Sequence, residues 1–295
     1  MPKAKTYKVY LNGSIVPGGK ASVTVFDRGL LYGDGLFETM KAADGTIAFK
    51  DAHLRRLKKG AALLGIPAKG IRGFFADVRS GLLERLLHTN RLDRGAAYMR
   101  ITVTRGVSEE GYGSTKCLAP TVLVTARAMD AKAAARMQKK GVNAVFIKGY
   151  CPSIPWIKTL NYLPSVLGRA EAARKGASEG IFTGLDGSIT EGTSTNVFIV
   201  KSGVLKTPAV YDGGPGKGVL PGIVREETIK AAKRLGISVR EARLKQRDLM
   251  EADEAFLTNS GIEIVPLVRV GARIIGNARP GNVTRMLQRA FGLDF

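Results

Sequence analysis

Short apolar segments separated by turn residues fill the first part of the chain, and longer segments with helical spacing follow them. Asn12-Gly13 and Asp44-Gly45 each lie between alternating apolar and polar positions, which is typical of β-hairpins. Asp51 is predicted to cap the first helix. The elements predicted in this part are hairpins at 9–16 and 35–49, helices at 51–64 and 72–88, and strands at 97–104 and 121–125.

The second part mixes strands and helices without an internal repeat. Asp186-Gly187 predicts another hairpin turn, and the apolar run at 196–200 predicts a buried strand. Helices are predicted at 162–175, 221–235 and 282–291. This pattern indicates α and β elements in two domains, 1–128 and 129–295, with a boundary near 129–132.

Length and composition are consistent with one large or two modest globular domains, each with an apolar core. The chain has 295 residues, of which 44% are apolar, and no apolar stretch is long enough to predict a membrane span. Two cysteines and two histidines favour neither a disulfide framework nor a clustered metal site. The first eight residues show no secretory signal, so a cytoplasmic location is expected.

The net charge of +21 raises the hypothesis of a basic, non-catalytic nucleic-acid-binding protein. The charge is dispersed over predicted helical faces at 55–59, 132–140, 225–234 and 240–247, and no basic tail accompanies it. Solvated surface charge is therefore the favoured interpretation, and nucleic acid is not the expected partner. Such a field also attracts anionic small molecules, more strongly at low salt.

Three segments carry residue types that suit an aldehyde cofactor with a phosphate group. Lys158 follows an apolar, proline-rich stretch at 150–157, and a desolvated lysine loses its proton and becomes a nucleophile. A carboxylate at Glu191, next to the predicted strand at 196–200, can keep a pyridine nitrogen protonated. Pro221 is predicted in the first turn of a helix, where N–H groups and the helix dipole favour phosphate.

Each of these features also has an ordinary structural interpretation. Lys158 alone is one lysine in a lysine-rich chain, Glu191 alone is an acid at a strand end, and most helix starts bind nothing. Tyr98 and Arg100 share one face of a predicted strand, as a packed aromatic and a solvated arginine would. The order of the three segments along one chain is what favours the cofactor hypothesis.

The chain resembles the class IV (fold type IV) pyridoxal-phosphate enzymes, which include branched-chain aminotransferases, D-amino acid aminotransferases and aminodeoxychorismate lyases. Several motifs in the family's order carry the resemblance over nearly the whole chain, at 26–39, 53–57, 98–100, 157–163, 191–198, 220–225, 256–260 and 263–266. The resemblance implies a small α/β domain, a larger barrel-like domain and a cofactor between them. It also implies at least a homodimer whose partner loops close the pocket.

The resemblance assigns Lys158 as the Schiff-base lysine and the base that moves the substrate's Cα proton. It places Glu191 at the pyridine nitrogen and Tyr162 at the cofactor's phenolic oxygen. Phosphate contacts are implied for Arg56, Ile223, Val224 and Ser260. The family usually has threonine where this chain has Val224, so one hydroxyl contact is lost and weaker cofactor binding is expected. The glycine-rich segment 212–218, in a connection longer than the family's, is predicted to be a loop near the phosphate.

Substrate signals are mixed. Phe37, Tyr98 and Arg100 resemble branched-chain aminotransferases, and Tyr32 is a further candidate for substrate binding. Thr39 resembles the lyases, as does Glu110-Gly-Tyr112, although it lacks their arginine. The loop 106–114 also lacks the Arg-x-His clamp of the D-amino acid enzymes. Transamination between a branched-chain L-amino acid and a 2-oxo acid such as 2-oxoglutarate is the favoured hypothesis. The lyase and the D-amino acid transaminase remain alternatives.

Overall fold

The computed structural model describes residues 7–108, 111–113, 119–149, 152–184, 186–210 and 218–293. The chain divides into two compact units. Unit 1 comprises Met1–Ala131 and Ile157–Asn161, and unit 2 comprises Lys132–Trp156 and Tyr162–Phe295. Within the described part of the chain, no helix is long and apolar enough to cross a membrane.

Unit 1 is built on an antiparallel sheet. Its strands are β1 (Lys8–Leu11), β2 (Ser14–Pro17), β3 (Gly35–Ala43), β4 (Thr46–Ile47), β5 (Ala96–Thr104) and β6 (Val122–Ala128). Their order across the sheet is β2-β1-β6-β5-β3-β4. The predicted β1–β2 hairpin is confirmed, because Asn12 and Gly13 both have positive φ, at 46° and 100°, as a two-residue hairpin turn requires.

The helices of unit 1 are α1 (Arg28–Tyr32), α2 (Lys50–Leu63), α3 (Ala68–Arg79) and α4 (Leu82–Thr89). The single helix predicted at 72–88 is wrong, because the chain turns at Gly81, whose φ is 79°. The predicted cap is also wrong. Asp51 lies in the first turn of α2, and the N-cap is Phe49, with φ 52°. The short α1 was not predicted.

The two faces of β3 have different neighbours. Side chains alternate along a strand, so Leu36, Glu38 and Met40 point to one face and Phe37 and Thr39 point to the other. Leu36 and Met40 belong to the apolar core of unit 1, together with buried residues of α2, α3 and α4. Glu38 is therefore a carboxylate at a core-facing position.

Unit 2 contains a mixed sheet. Its strands are β7 (Val142–Ile147), β8 (Glu179–Thr183), β9 (Ser188–Gly192), β10 (Asn196–Lys201), β11 (Val204–Thr207), β12 (Val239–Glu241), β13 (Leu244–Lys245), β14 (Glu254–Asn259), β15 (Glu263–Val270) and β16 (Arg273–Ile274). The order is β12-β11-β10-β14-β15-β7-β8-β9-β13, and β16 pairs with β15. The hairpin predicted at Asp186-Gly187 joins β8 to β9, and the strand predicted at 196–200 is β10.

The other helices are α5 (Ala131–Lys140), α6 (Leu163–Arg174), α7 (Ile223–Arg234), α8 (Gln246–Met250) and α9 (Asn282–Ala290). Helix α7 begins at Ile223 with Gly222 as its N-cap, so Pro221 precedes the helix and does not lie in its first turn as predicted. The basic segment 240–247 was predicted on a helical face, but most of it lies in or beside β12 and β13. Phe198 and Phe256 stack at 4.8 Å between ring centroids in the core beside α7 and α9.

The segment Ile157–Asn161 belongs to unit 1, although the chain on both sides of it belongs to unit 2. The reason is strand-like pairing with the start of β3. The Phe37 amide donates to the Lys158 carbonyl at 3.0 Å, and the Leu160 amide donates to the Gly35 carbonyl at 2.9 Å. The domain prediction of 1–128 and 129–295 placed Lys158 in the second part. In the structure, the backbone of Lys158 is held by β3 of unit 1.

Candidate active site

Lys158 and Arg100 lie close to the ring of Phe37 in unit 1. The Lys158 Nζ is 4.5 Å from the ring centroid, and the Arg100 Cζ is 3.7 Å from it. Phe37 is 3% exposed, so the ring has a fixed position. Contacts of cations with an aromatic ring stabilise each pair by roughly 0.5–2 kcal/mol. The structure therefore brings together three residues predicted for the site, an amine, a guanidinium and an apolar ring.

Arg56 is held by a buried carboxylate that was not among the predicted site residues. Its Nε and Nη2 donate to the two oxygens of Glu38, each at 2.7 Å. The Nδ1 of His53 lies 2.7 Å from Glu38 Oε2. Burial by itself raises the pKa of Glu38, but the charge and hydrogen bonds of Arg56 and His53 outweigh it and lower the pKa to about 2. The sequence shows an acid within an apolar strand, but only the structure shows that Glu38 points into the core.

Tyr98 and Tyr32 have more open surroundings than Phe37. Tyr98 lies opposite Lys41 on β3, and the Arg127 Cζ is 5.5 Å from its ring centroid. Burial raises the pKa of Tyr98, partly offset by the charge of Arg127. Tyr32 is 45% exposed at the end of α1, and its ring packs edge-on against Tyr112 with 6.4 Å between centroids.

In unit 2, Glu191 is buried near the end of β9 and holds the chain that leads into α7. The Leu220 amide donates to Glu191 Oε2 at 2.9 Å. The Leu220 carbonyl accepts from Asn196 Nδ2, also at 2.9 Å. Leu220 is therefore fixed on both of its backbone polar groups, and the acid of β9 is tied to the start of a helix.

The start of α7 has the features of an anion site. No side chain caps the helix, and the amides of Ile223 and Val224 belong to the first turn, where an α-helix offers no acceptor of its own. A methyl group on Gly222 would come within 2.0 Å of Asn196 Oδ1, so only glycine allows this close approach. The helix dipole adds partial positive charge at these amides.

Two further hydroxyl residues lie on β14 and just after it. Thr258 is directly opposite Asn196 in the β10–β14 pair and therefore points to the same face. It is 1% exposed, and its hydroxyl has no hydrogen-bond partner among the described residues. Ser260 follows the last residue of β14 and is half-buried. A buried hydroxyl without a partner costs about 1–3 kcal/mol unless a ligand or water satisfies it.

The turn after Glu191 is organised by a second buried acid. Glu179 on β8 accepts hydrogen bonds from the hydroxyls of Thr193, Ser194 and Thr195, the last two at 3.0 and 3.2 Å. Tyr162, at the N-cap of α6, donates from its hydroxyl to the Thr193 carbonyl at 3.3 Å. The predicted residues Tyr162 and Glu191 are thus attached to the same turn. Glu179 was not predicted, because nothing in the sequence distinguishes it from a surface acid.

Some predicted features lie outside the described residues. They are the glycine-rich segment at 212–217, Glu110 of the Glu110-Gly-Tyr112 motif, and both cysteines, Cys117 and Cys151. Within the ranges that are described, no group of His, Cys, Asp and Glu side chains could hold a metal ion.

Comparison with known proteins identifies the family. A family model described as amino-transferase class IV matches residues 35–270. The putative branched-chain-amino-acid aminotransferase of Methanocaldococcus jannaschii is 39% identical over 288 residues, which cover 96% of this chain and 95% of that protein. The D-alanine aminotransferase of Bacillus licheniformis is 30% identical over 287 residues, with 96% and 95% covered.

The fold agrees with the family. The structure of the Escherichia coli branched-chain amino acid aminotransferase matches with a TM-score of 0.83 and 30% identity, over 97% of this chain and 94% of that one. The predicted two-domain fold of the class IV pyridoxal-phosphate enzymes is confirmed. The chain belongs to the class IV aminotransferases, and its cofactor is pyridoxal phosphate.

Proposed function

We propose that this enzyme transfers an amino group between a branched-chain L-amino acid and a 2-oxo acid such as 2-oxoglutarate. The observation that carries the proposal is the group formed by Phe37, Arg100 and Lys158. An apolar ring next to the amine suits an aliphatic side chain. A guanidinium at the same ring suits a substrate that carries a second carboxylate. The relative from Methanocaldococcus jannaschii, named as a putative branched-chain enzyme, supports the same choice.

The residues present fit the cofactor. In unit 2, the uncapped start of α7 and the buried hydroxyl of Thr258 suit a phosphate. Ser260 in unit 2 and Arg56 in unit 1 remain proposed phosphate contacts. The amides of Ile223 and Val224 contribute there whatever their side chains are. Buried Glu191 suits the pyridine nitrogen and Tyr162 the phenolic oxygen. When bound, the cofactor supplies an aldehyde and an electron-withdrawing ring.

Lys158 has two tasks in this proposal. Its amine would hold the cofactor and, once the substrate amine has taken its place, would accept the proton from the substrate's Cα. Its backbone is pinned to β3 through Phe37, so the amine starts from a fixed origin. Holding the base close to the reacting carbon supplies much of the rate. The carboxylate of Glu191 would face the cofactor's ring nitrogen, where a negative charge favours the protonated ring.

Two other substrates compete with this choice. Thr39 lies directly opposite Arg100 in the β3–β5 pair, at the position that resembles the aminodeoxychorismate lyases. The relative from Bacillus licheniformis, named a D-alanine aminotransferase, keeps the D-amino acid alternative open. Tyr32 and Tyr98 remain proposed substrate-binding residues under each of the three hypotheses. We keep the cytoplasm as the proposed location, since no step requires an oxidising compartment.

We further propose that a second copy of the chain covers an apolar surface of unit 1. Val25, Phe26, Leu30 and Leu31 are 64%, 66%, 67% and 51% exposed around the short helix α1. Large apolar side chains grouped in this way mark interaction sites on soluble proteins. Light scattering during size exclusion should give the mass of a homodimer or a larger homo-oligomer. A monomer mass at micromolar concentration would contradict the proposal.

The test of the activity is a spectral titration of the cofactor-loaded enzyme. We expect L-leucine to remove the visible band of the cofactor bound to Lys158, and D-alanine to leave it in place. Loss with D-alanine alone would favour the D-amino acid enzyme. A band that neither removes would make 4-amino-4-deoxychorismate the next substrate. Lys158→Ala should lack the band, whereas Lys148→Ala, at an exposed lysine, should keep it.

A further inference from the structure

Glu38 has surroundings that an ordinary surface ion pair does not have. It is 1% exposed, within the apolar core between β3 and α2. Both of its oxygens are engaged, Oε1 by Arg56 Nε and Oε2 by Arg56 Nη2 and His53. A carboxylate in such a place is stable only when its partners compensate for the lost hydration. Removing the charge of Glu38 would leave the guanidinium of Arg56 without its negatively charged partner.

The two-point contact fixes the Arg56 guanidinium as a plane. Two parallel N–H···O bonds from one guanidinium to one carboxylate define direction as well as distance. Without them, a long arginine side chain samples many rotamers, and ordering it on a ligand costs free energy. His53 lies one helical turn before Arg56 on α2 and holds the same carboxylate. The orientation of Arg56 is therefore set by the protein before any ligand arrives.

The same short stretch of β3 also holds Lys158. Phe37 contacts Lys158 through its backbone amide and its ring, and Glu38, the next residue, points to the opposite face and holds Arg56. Close packing keeps α2 against this stretch, because a methyl group on Gly60 would come within 2.8 Å of Leu36 Cδ1. One rigid stretch of β3 thus positions the amine and the arginine independently.

We propose that Glu38 is a positioning residue that presents Arg56 to the phosphate group of the cofactor. This inference rests on the phosphate role proposed for Arg56, and not on the choice of amino acid substrate. Glu38 does not touch the cofactor and acts only through the guanidinium. It should therefore affect the affinity for a ligand with a phosphate and not the affinity for the same ring without one.

The experiment compares pyridoxal phosphate with pyridoxal, which lacks the phosphate, on the apoenzyme. Glu38→Gln keeps the volume but removes the charge and one acceptor. We expect it to raise the Kd for pyridoxal phosphate by roughly tenfold or more, the scale of hydrogen bonds to charged groups. The Kd for pyridoxal, followed by the same visible band, should stay within about twofold. Glu84→Gln is the matched control, because Glu84 forms an ion pair at 2.6 Å with Lys50 of α2, the helix that carries Arg56. It should change neither Kd.

A double-mutant cycle completes the test. In an Arg56→Ala background, Glu38→Gln should have no further effect on the Kd for pyridoxal phosphate, because the guanidinium through which it acts is gone. If Glu38→Gln does not fold, Glu38→Asp, which keeps the charge at a shorter reach, should give an intermediate loss with the same selectivity for phosphate. Equal weakening of both ligands, additive effects in the cycle or an unchanged Kd for pyridoxal phosphate would overturn the inference. A cofactor band that does not respond to L-leucine would instead contradict the proposed substrate and leave this inference standing.

Discussion

Lys158 and Arg100 meet at one aromatic ring, although they are 58 positions apart in the sequence. Their roles were implied by motifs, but their proximity follows from the pairing of β3 with β5 on one side and with residues 157–161 on the other. Phe37 takes part in both pairings, as do its neighbours Gly35 and Leu36. The buried ring of Phe37 therefore lies beside both the amine and the guanidinium.

Arg100→Ala tests the role of the guanidinium. We expect the KM for 2-oxoglutarate to rise by roughly tenfold or more, because a charge-assisted contact to the second carboxylate is lost. The KM for 4-methyl-2-oxopentanoate, which has no second carboxylate, should change less. Steady-state kinetics with both acceptors would show the difference, and Arg127→Ala on the neighbouring strand serves as a control. An equal change for both acceptors would remove Arg100 from this role.

Glu38 shows the limit of inference from single residues. Arg56 could be proposed as a phosphate contact because an arginine at that place in a motif suits a phosphate. Glu38, the acid that holds Arg56, could not be predicted, because a carboxylate in a strand has no distinctive spacing. Only the structure shows that Glu38 points into the core. Predicted ligand contacts are thus easier to obtain from sequence than the groups that orient them.

At the scale of elements, side chains of β9 and β10 hold the segment that leads into α7. Asn196 on β10 and Glu191 on β9 hold Leu220 from opposite sides, and Gly222 then passes against Asn196. The sequence predicted a helix here but began it at Pro221, two residues early. Proline suits a first helical turn in general, whereas here it lies between Leu220, which the two side chains hold, and the N-cap Gly222.

Gly222→Ala should disturb this arrangement. The added methyl group would meet Asn196 Oδ1 at 2.0 Å, so the asparagine has to give up its position against Leu220. We expect a loss of about 1–3 kcal/mol in the free energy of unfolding and weaker cofactor binding. Urea unfolding and a cofactor titration measure the two effects.

Gly73→Ala is the control for that substitution. Gly73 lies inside α3 with open space around the position of an added methyl group. This change should stabilise the protein by roughly 0.4–1 kcal/mol, because alanine loses less backbone entropy than glycine in a helix. If both alanines behaved alike, the close approach at Gly222 would not be the cause.

Elements that are determined by residues within a short segment were predicted better than elements that depend on distant parts of the chain. Hairpins with Asn-Gly or Asp-Gly turns were predicted well, because the turn residues determine the backbone there. The break between α3 and α4 was missed, since the apolar spacing continues across Gly81 and the turn depends on a backbone conformation with φ 79°. The strands within 240–247 were mistaken for a helical face because neighbouring strands, and not local periodicity, determine them.

At the scale of the whole molecule, the buried acid predicts how stability depends on pH. The pKa of Glu38 falls from 4.5 to about 2 on folding, so its ion pair stabilises the protein fully above pH 4.5. That contribution, on the order of 3 kcal/mol, is lost as the pH falls towards 2. The free energy of unfolding of the apoprotein should therefore exceed that of Glu38→Gln at pH 5.5, and the gap should narrow steadily at lower pH. A gap that stays constant would contradict this assignment.

Unit 1 is not a continuous stretch of chain, and this affects how the protein is made. A ribosome completes Met1–Ala131 well before Ile157–Asn161. The Gly35 carbonyl and the Phe37 amide therefore have no partner from this segment until it has been synthesised. These two backbone hydrogen bonds cannot form until synthesis has passed position 160. We therefore expect a fragment truncated at 131 to be poorly stable and to bind no cofactor. The lysine proposed for the chemistry arrives on the same segment that completes this pairing.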